Sequence, residues 1–350
     1  MAQFNSIESV SHIEEASAIA ELQCFLTGEF RIPELPFERE NLSESFISHV
    51  RDNGSDWDSP EYYSKEPETC FQEARSYVEV EVAQFLEEYA ELLGPHYPFT
   101  LSGSNSQVMT LKEEISPVGT AYIWLRLYML SVSKHNYIQF EATSKVAGNN
   151  ELEVFNRDFA NVFEYLSAFA VSGRYGNVMW MTAKSRSGSD YRDILERVCM
   201  RIEQGRPKLY DDFTQNQKTT NDGRTDMITV TMPNGVLRAD SEIYLTQATI
   251  QKSRLKDKVV TQTSIDFFNA FFAQQITFAK KGVLVVPHTF NELNQSECGS
   301  ANCVYMPLGR ILEYLGKVAI NDNLTEISED FVERYSNIEQ KITLQRFSLM

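Results

Sequence analysis

Apolar positions recur at helical spacing in four long stretches of the chain. Residues 12–27 and 68–93 each place their apolar side chains on one stripe, as amphipathic helices do. The same spacing returns in residues 149–173 and 189–203. Glycine follows or closes the first three stretches, which is typical of helix ends. The pattern therefore predicts four helices.

The segments between the second and third helices have a different pattern. Residues 97–114 are typical of a short hairpin. Residues 120–134 are apolar on most faces, which favours a buried helix, although their β-branched and aromatic content leaves a strand open. We therefore expect the N-terminal part of the chain to be mainly helical.

Strand patterns concentrate in the C-terminal part. Two apolar runs, Met227–Val230 and Ile243–Leu245, flank the turn signal Pro233-Asn234-Gly235 and predict an antiparallel hairpin. Residues 264–281 follow with a phenylalanine-rich helical face, and residues 282–288 form a continuous apolar run typical of a buried strand. Two more helices are predicted at residues 307–318 and 328–340. This order predicts an α/β fold with a small mixed sheet flanked by helices.

Charge divides the chain in the same way. The 350 residues carry a net charge of -17, but residues 1–100 hold 21 acids and 5 bases, whereas residues 180–281 hold 16 bases and 12 acids. A local field steers ligands more than a summed charge does, so the basic stretch is compatible with nucleic acid. We predict a mainly helical acidic region at residues 1–145 and an α/β domain at residues 146–350.

The composition favours a cytoplasmic protein that does not interact with membranes. No apolar run approaches the roughly 20 residues that a membrane span requires. The N-terminus lacks the basic start and apolar core of a signal peptide. Five widely spread cysteines, an odd number, give no reason to expect disulfide bonds.

The hairpin supplies the candidate chemistry. An antiparallel pair that turns beside Pro233-Asn234-Gly235 places Asp226 opposite Gln247. Side chains alternate along a strand, so Gln247, Thr249 and Gln251 are expected on one face. Carboxylate and amide oxygens at this point could hold Mg²⁺ together with water. A surface hairpin with a merely solvated polar face is the simpler alternative.

The run Asp222-Gly223-Arg224-Thr225-Asp226, followed by an apolar strand, resembles the D-G-x-x-D turn of Mrr-type restriction endonucleases in the PD-(D/E)XK superfamily. Glu164 lies in the preceding amphipathic helix, where many of these enzymes carry a metal-binding glutamate. Gln247 closes the second strand, where the superfamily has its D/E/Q-x-K element. The resemblance covers roughly residues 150–290 and implies a restriction-endonuclease-like core.

The chain departs from this pattern at one position. The lysine of a D/E/Q-x-K element would stand at position 249, where this chain has Thr249. Lys252 could replace it if the strand bulges or ends at Ile250, because in an unbroken strand its side chain would point to the other face. Otherwise Lys218 supplies the charge, or the fold is an inactive copy.

The resemblance implies a Mg²⁺- or Mn²⁺-dependent nuclease that cleaves phosphodiester bonds, with DNA as the expected substrate. Glu164, Asp226 and Gln247 would hold the metal, and Lys252 would orient the nucleophile or stabilise developing charge. The expected nucleic-acid contacts are Lys218, Arg224, Arg254, Lys256 and Lys258.

The expected setting is a prokaryotic restriction or anti-phage defence system. A helicase or ATPase partner would be a separate chain, because this one has no P-loop motif. The sequence is also compatible with a homo-oligomer. The alternative function is that of a catalytically inactive nuclease-fold protein, a partner-binding or regulatory subunit whose acidic first 100 residues bind a protein or mimic nucleic acid.

Overall fold

A computed structural model of the chain describes residues 7–35, 67–131, 139–140, 151–175, 178–182, 190–219, 224–232, 236–250, 265–287, 303–319, 322–336 and 342–343. The chain divides into two compact units. The first comprises Met1–Arg157 with Asn337–Met350, and the second comprises Asp158–Ser336.

The first unit is mainly helical and contains a small antiparallel sheet. Its helices are α1 (Ile7–Thr27), α2 (Pro67–Leu93) and α3 (Pro117–Ser131), and its strands are β1 (Glu29–Arg31), β2 (Phe99–Ser102), β3 (Val108–Leu111), β4 (Gln139–Phe140) and β12 (Ile342–Thr343). The order β1-β3-β2 forms one sheet, and β4 pairs with β12. Of residues 120–134, where the sequence left a strand open, the described part up to Ser131 is helical and belongs to α3.

An ion pair lies in the core of the first unit, where α1 packs against α2 and α3. Glu21 of α1 and Arg126 of α3 each have 2% of their side chain exposed, and Arg126 Nε lies 2.5 Å from Glu21 Oε2. Tyr97 and Tyr122 donate hydrogen bonds to Glu21 Oε1 at 2.9 and 2.6 Å. Additional hydrogen bonds of this kind are what a buried ion pair needs to offset its desolvation.

The second unit contains a mixed five-stranded sheet. Its helices are α4 (Glu151–Tyr175, from Asp158 onward), α5 (Tyr191–Ile202), α6 (Gln215–Thr219), α7 (Ile265–Asn269), α8 (Leu308–Leu315) and α9 (Asp322–Tyr335). Its strands are β5 (Val178–Met181), β6 (Arg206–Pro207), β7 (Met227–Val230), β8 (Glu242–Ala248), β9 (Phe272–Gln274), β10 (Ala279–Val285) and β11 (Cys303–Met306). The sheet has the order β11-β10-β8-β7-β5, with β8, β10 and β11 parallel and β7 antiparallel to both neighbours.

Helices cover both faces of this sheet. On one face Ile228 and Leu245 join Ile194 of α5 and the phenylalanines that follow α7 in one hydrophobic core. On the other face the ring of Tyr244 stacks on Tyr175 of α4, with centroids 3.9 Å apart. The sequence therefore predicted the α/β class and the mixed sheet correctly.

The helix predicted over residues 264–281 is much shorter than expected. Among the described residues of this segment only Ile265–Asn269 is helical, because the chain then turns and Phe272–Gln274 forms a strand that pairs with Arg206–Pro207. Phe271 and Phe272 are adjacent in the sequence, and both are buried in the same hydrophobic core. Their burial and the strand pairing override the helical spacing of the phenylalanines.

The predicted strand at 282–288 is shifted to Ala279–Val285. Its first residues pair with the start of β8, where Lys281 Nζ lies 2.6 Å from Glu242 Oε1. Two strands of the sheet, β5 and β11, were not predicted at all. No helix among the described residues combines the length and apolar character needed to cross a membrane.

Candidate active site

The candidate site lies at the edge of the five-stranded sheet where β8, β10 and β11 end. Parallel strands bring their carboxyl ends to one edge, and such edges commonly bind ligands in α/β proteins. Since β7 runs antiparallel to β8, its first residue lies at this edge as well. The residue before β7 is Asp226, and Gln247 is the last residue but one of β8.

Asp226 and Gln247 are hydrogen-bonded neighbours, as the hairpin pattern predicted. The register pairs Met227 with Thr246 and Ile228 with Leu245, so Asp226 stands opposite Gln247. Gln247 Nε2 donates to Asp226 Oδ2 at 2.6 Å. Both side chains are nearly buried, with 7% and 8% of their surface exposed.

The backbone holds Asp226 in place from both sides. Its N–H donates to the carbonyl of Thr246 at 2.8 Å, and its carbonyl accepts from the N–H of Thr182 at 3.0 Å. The backbone N–H of Ala248 donates to Asp226 Oδ2 at 2.7 Å. The carboxylate therefore has a fixed position between the ends of β5 and β8.

Cross-strand partners share a face of a sheet. Asp226 and Gln247 thus lie on the face of Ile228 and Leu245, which α5 covers. Glu164 belongs to α4, and Tyr175 of that helix packs on the opposite face. The structure therefore brings Asp226 and Gln247 together, whereas the third predicted metal ligand comes from the layer behind the sheet.

The donor atoms at this edge are hard oxygens. Asp226 provides a carboxylate and Gln247 an amide oxygen, which suit Mg²⁺ and Mn²⁺. Gln247 uses its amide nitrogen for two hydrogen bonds, one to Asp226 Oδ2 and one to the carbonyl of Ala248 at 3.0 Å. In this arrangement the amide nitrogen of Gln247, not its oxygen, contacts Asp226. Among the described residues no three His, Cys, Asp or Glu side chains form a group suited to a metal ion.

Two of the predicted phosphate contacts lie in the segment that leads into β7. Arg224, two residues before Asp226, places its guanidinium 4.3 Å from the ring centroid of Phe267 and donates to Asn216 Oδ1 at 3.1 Å. Lys218 Nζ lies 5.4 Å from the ring centroid of Tyr210. Phe267 packs on the same core as Ile228, so Arg224 lies on the Asp226 side of the sheet.

Arg224 also has an unusual backbone conformation. Its φ of 63° lies in the left-handed region, which a residue other than glycine adopts rarely. Strained residues of this kind cluster at functional sites, although they also occur in ordinary turns. Arg224 adopts this conformation two residues before Asp226, and its guanidinium lies over the ring of Phe267.

Thr249, which stands where a lysine was expected, is buried, with 5% of its surface exposed. Its N–H donates to the carbonyl of Val285 at 3.0 Å, so the hydrogen bonding between β8 and β10 continues one residue beyond the strand. Strand β8 itself ends at Ala248. The remaining predicted site residues, Lys252, Arg254, Lys256 and Lys258, lie outside the described residues, as do Asp222 and Gln251.

Sequence reasoning missed the contribution of β5. Thr182 follows this strand, is fully buried and donates its hydroxyl hydrogen bond to the carbonyl of Thr225. The run Val178–Met181 is apolar over four residues and could have signalled a short buried strand. The Ala248 N–H was missed for another reason, since a backbone donor leaves no mark in the sequence.

Comparison with protein-family models, curated proteins and solved structures finds no protein that this chain matches. The functional interpretation therefore rests on the geometry of this edge and on the sequence pattern that predicted it.

Proposed function

We propose that this protein is a Mg²⁺-dependent nuclease that cleaves phosphodiester bonds, with DNA as its substrate and a role in prokaryotic restriction or anti-phage defence. The observation that carries the proposal is the hydrogen-bonded pair of Asp226 and Gln247 at the edge of the sheet. A helix that carries Glu164 precedes this pair, and a helix and a buried strand follow it. This is the order that the resemblance to Mrr-type endonucleases implies.

Asp226 and Gln247 would be the principal protein ligands of a divalent cation. Mg²⁺ binds in many proteins through one or two carboxylates and fills its other positions with water and substrate phosphates, so a single carboxylate is acceptable. Gln247 would have to present its amide oxygen in place of Nε2. When bound, such a cation lowers the pKa of a coordinated water and offsets charge on the phosphodiester oxygens.

The chain's own groups have distinct tasks in this proposal. The N–H groups of Ala248 and Thr182 hold the carboxylate and the backbone of Asp226 in position. Arg224 and Lys218 contact phosphates next to the cleaved bond, and such contacts orient a nucleic acid without reading its sequence. Lys252 remains the proposed partner of the attacking water.

A second candidate function has an observation of its own. Gln247 contacts Asp226 with its amide nitrogen, not with its amide oxygen. The buried Thr249 stands at the position where the D/E/Q-x-K element has its lysine. Both features fit a nuclease fold that has lost its catalytic role and binds another protein, for example a helicase or ATPase of a defence complex. The acidic N-terminal region would be the binding surface in that case.

A cleavage assay tests the leading proposal. Purified protein is incubated with supercoiled plasmid, linear duplex and single-stranded DNA and RNA in Mg²⁺ or Mn²⁺. We expect the wild-type chain to nick or cut DNA, and Asp226→Asn to lower the rate by about a hundredfold or more. Asp240→Asn is a matched control, because Asp240 is an exposed aspartate of the same hairpin.

The two candidate functions give different results. Equal cleavage by wild type and Asp226→Asn would refute the proposed site, because the activity would not depend on the carboxylate of Asp226. No cleavage of any substrate, together with stable copurification of one other protein, would favour the noncatalytic function.

A further inference from the structure

A second polar cluster lies at the other end of the sheet, where α4 and α8 end. Tyr314 of α8 is at its centre, and three cations surround it. The Arg174 guanidinium lies 5.2 Å from the Tyr314 ring centroid, and Lys317 Nζ lies 5.2 Å from the same centroid. Arg310 Nη1 donates to the Tyr314 hydroxyl oxygen at 3.4 Å.

Arg174 is the unusual member of this cluster. Its guanidinium lies over two aromatic rings, 5.0 Å from the ring centroid of Tyr175 and 5.2 Å from that of Tyr314. Its Nη1 is buried and has no hydrogen-bond acceptor among the described residues. A buried donor of a charged group is costly to leave without an acceptor, so its persistence suggests that a ligand supplies one.

The charges around Tyr314 do not balance. Among the described residues, Glu313 is the one acid of this cluster. Lys317 Nζ lies 2.5 Å from its Oε1. Its pKa is lowered, first by the hydrogen bond from Lys317 and then by the nearby positive charges, including Arg310 and Arg174. Three cations and one anion leave a net charge of +2 in a chain whose total is -17.

Neighbouring groups reduce this charge without cancelling it. Glu242 and Lys281, beside the Tyr175–Tyr244 stack, pair with each other at 2.6 Å and add nothing. The helices α4 and α8 end here, and each C-terminus contributes roughly half a negative charge. A local charge of about +1 remains by this reckoning.

The cluster is rigid enough to recognise a ligand. A Cβ atom added to Gly173 would lie 1.9 Å from the carbonyl oxygen of Tyr314, so the last turns of α4 and α8 are in direct backbone contact. Only a glycine allows this approach. The backbones that carry Arg174 and Arg310 are therefore held together by two packed helices, and Lys317 follows α8 by two residues.

We propose that Arg174, Arg310 and Lys317 bind the phosphate group of a small phosphomonoester, at the end of the sheet opposite Asp226. A guanidinium presents paired donors that match phosphate oxygens, and a phosphomonoester carries more negative charge than a phosphodiester. Tyr314 has only 9% of its surface exposed, so its ring offers no open face on which nucleic-acid bases could stack. These features favour a small ligand over a nucleic-acid strand.

Thermal unfolding of the full chain tests this site. Inorganic phosphate and a nucleoside 5′-monophosphate are added separately, with sodium chloride at the same ionic strength as the reference. We expect each phosphate to raise the melting temperature by roughly 3–6 °C at ten times its dissociation constant, and chloride to have no such effect. A larger rise with the nucleotide would identify a nucleotide as the ligand, and equal rises would show that the phosphate group is sufficient.

Variants decide whether Arg174 is responsible. Arg174→Gln is expected to weaken phosphate binding by about ten- to hundredfold, whereas Arg238→Gln, at an exposed arginine of the same unit, leaves it unchanged. If Arg174→Gln does not fold by circular dichroism, the exposed Arg310→Gln takes its place, with an expected loss of about tenfold. The proposal is overturned if phosphate acts no better than chloride, or if the Arg174 and Arg310 variants bind phosphate as the wild type does.

Discussion

Replacing Asp226 should show how much its carboxylate contributes to the stability of the fold. Its Oδ2 accepts hydrogen bonds from Ala248 N at 2.7 Å and from Gln247 Nε2 at 2.6 Å. Asp226→Ala removes the acceptor of both donors in a nearly buried place. An unsatisfied buried donor costs about 1–3 kcal/mol, and here there are two donors. Because water at the edge of the sheet can reach them in part, we expect Asp226→Ala to lower the free energy of unfolding by about 2–4 kcal/mol.

Asp226→Asn is the matched variant. Its amide oxygen can still accept from Ala248 N, while the charge of the carboxylate is lost. We therefore expect it to lower the free energy of unfolding by only about 1 kcal/mol. This difference makes Asp226→Asn the appropriate variant for functional assays, because its fold is retained.

Urea denaturation measures the overall effect, and hydrogen exchange at the Ala248 amide measures the local one. Protection of this amide should fall strongly in Asp226→Ala and only slightly in Asp226→Asn. The reasoning is refuted if Asp226→Ala is as stable as the wild type, or if both variants lose the same stability and the same protection.

Three further predictions concern the rest of the molecule. Arg126→Met leaves Glu21 as an uncompensated buried charge and should lower the free energy of unfolding by about 3–5 kcal/mol, measured by urea denaturation; a loss below about 1 kcal/mol would contradict the buried ion pair. Gly173→Ala places a methyl group against a carbonyl of α8 and should destabilise the second unit by about 1–3 kcal/mol in thermal unfolding. Gly309→Ala is the control, because nothing lies within 4 Å of the added Cβ, and it should be neutral or slightly stabilising. Burial raises the pKa of Cys24 to about 12, so its thiol stays protonated at pH 8 and should react with iodoacetamide far more slowly in the folded chain than in urea, as peptide mass mapping would show; equal rates would contradict this placement.

The positions with a strong local signal were predicted from the sequence. The register of β7 and β8 followed from two apolar runs around one turn signal, and it placed Asp226 opposite Gln247 as observed. The amphipathic helices α1, α2, α4 and α5 followed from their 3.6-residue spacing in the same way. In these segments local pattern and tertiary packing favour the same structure.

Where pairing with a distant segment determines the local structure, the sequence pattern predicted the wrong element or none. Residues 272–274 form a strand only because a partner at Arg206–Pro207 is present. The short strands β5 and β11 are stabilised by pairing with β7 and β10, not by an alternation of their own. The hydrogen bond from Ala248 N to Asp226 depends on the end of β8 and could not be read from residue types.

The central claim, that Asp226 and Gln247 form a divalent-cation site, can be tested without any knowledge of substrate or partner. Isothermal titration calorimetry with MnCl₂ measures the affinity of the full chain and of the Asp226→Asn and Asp240→Asn variants. We predict that the wild type and Asp240→Asn bind Mn²⁺ equally, and that Asp226→Asn binds it roughly tenfold or more weakly. No binding by the wild type, or equal binding by Asp226→Asn, would contradict the claim.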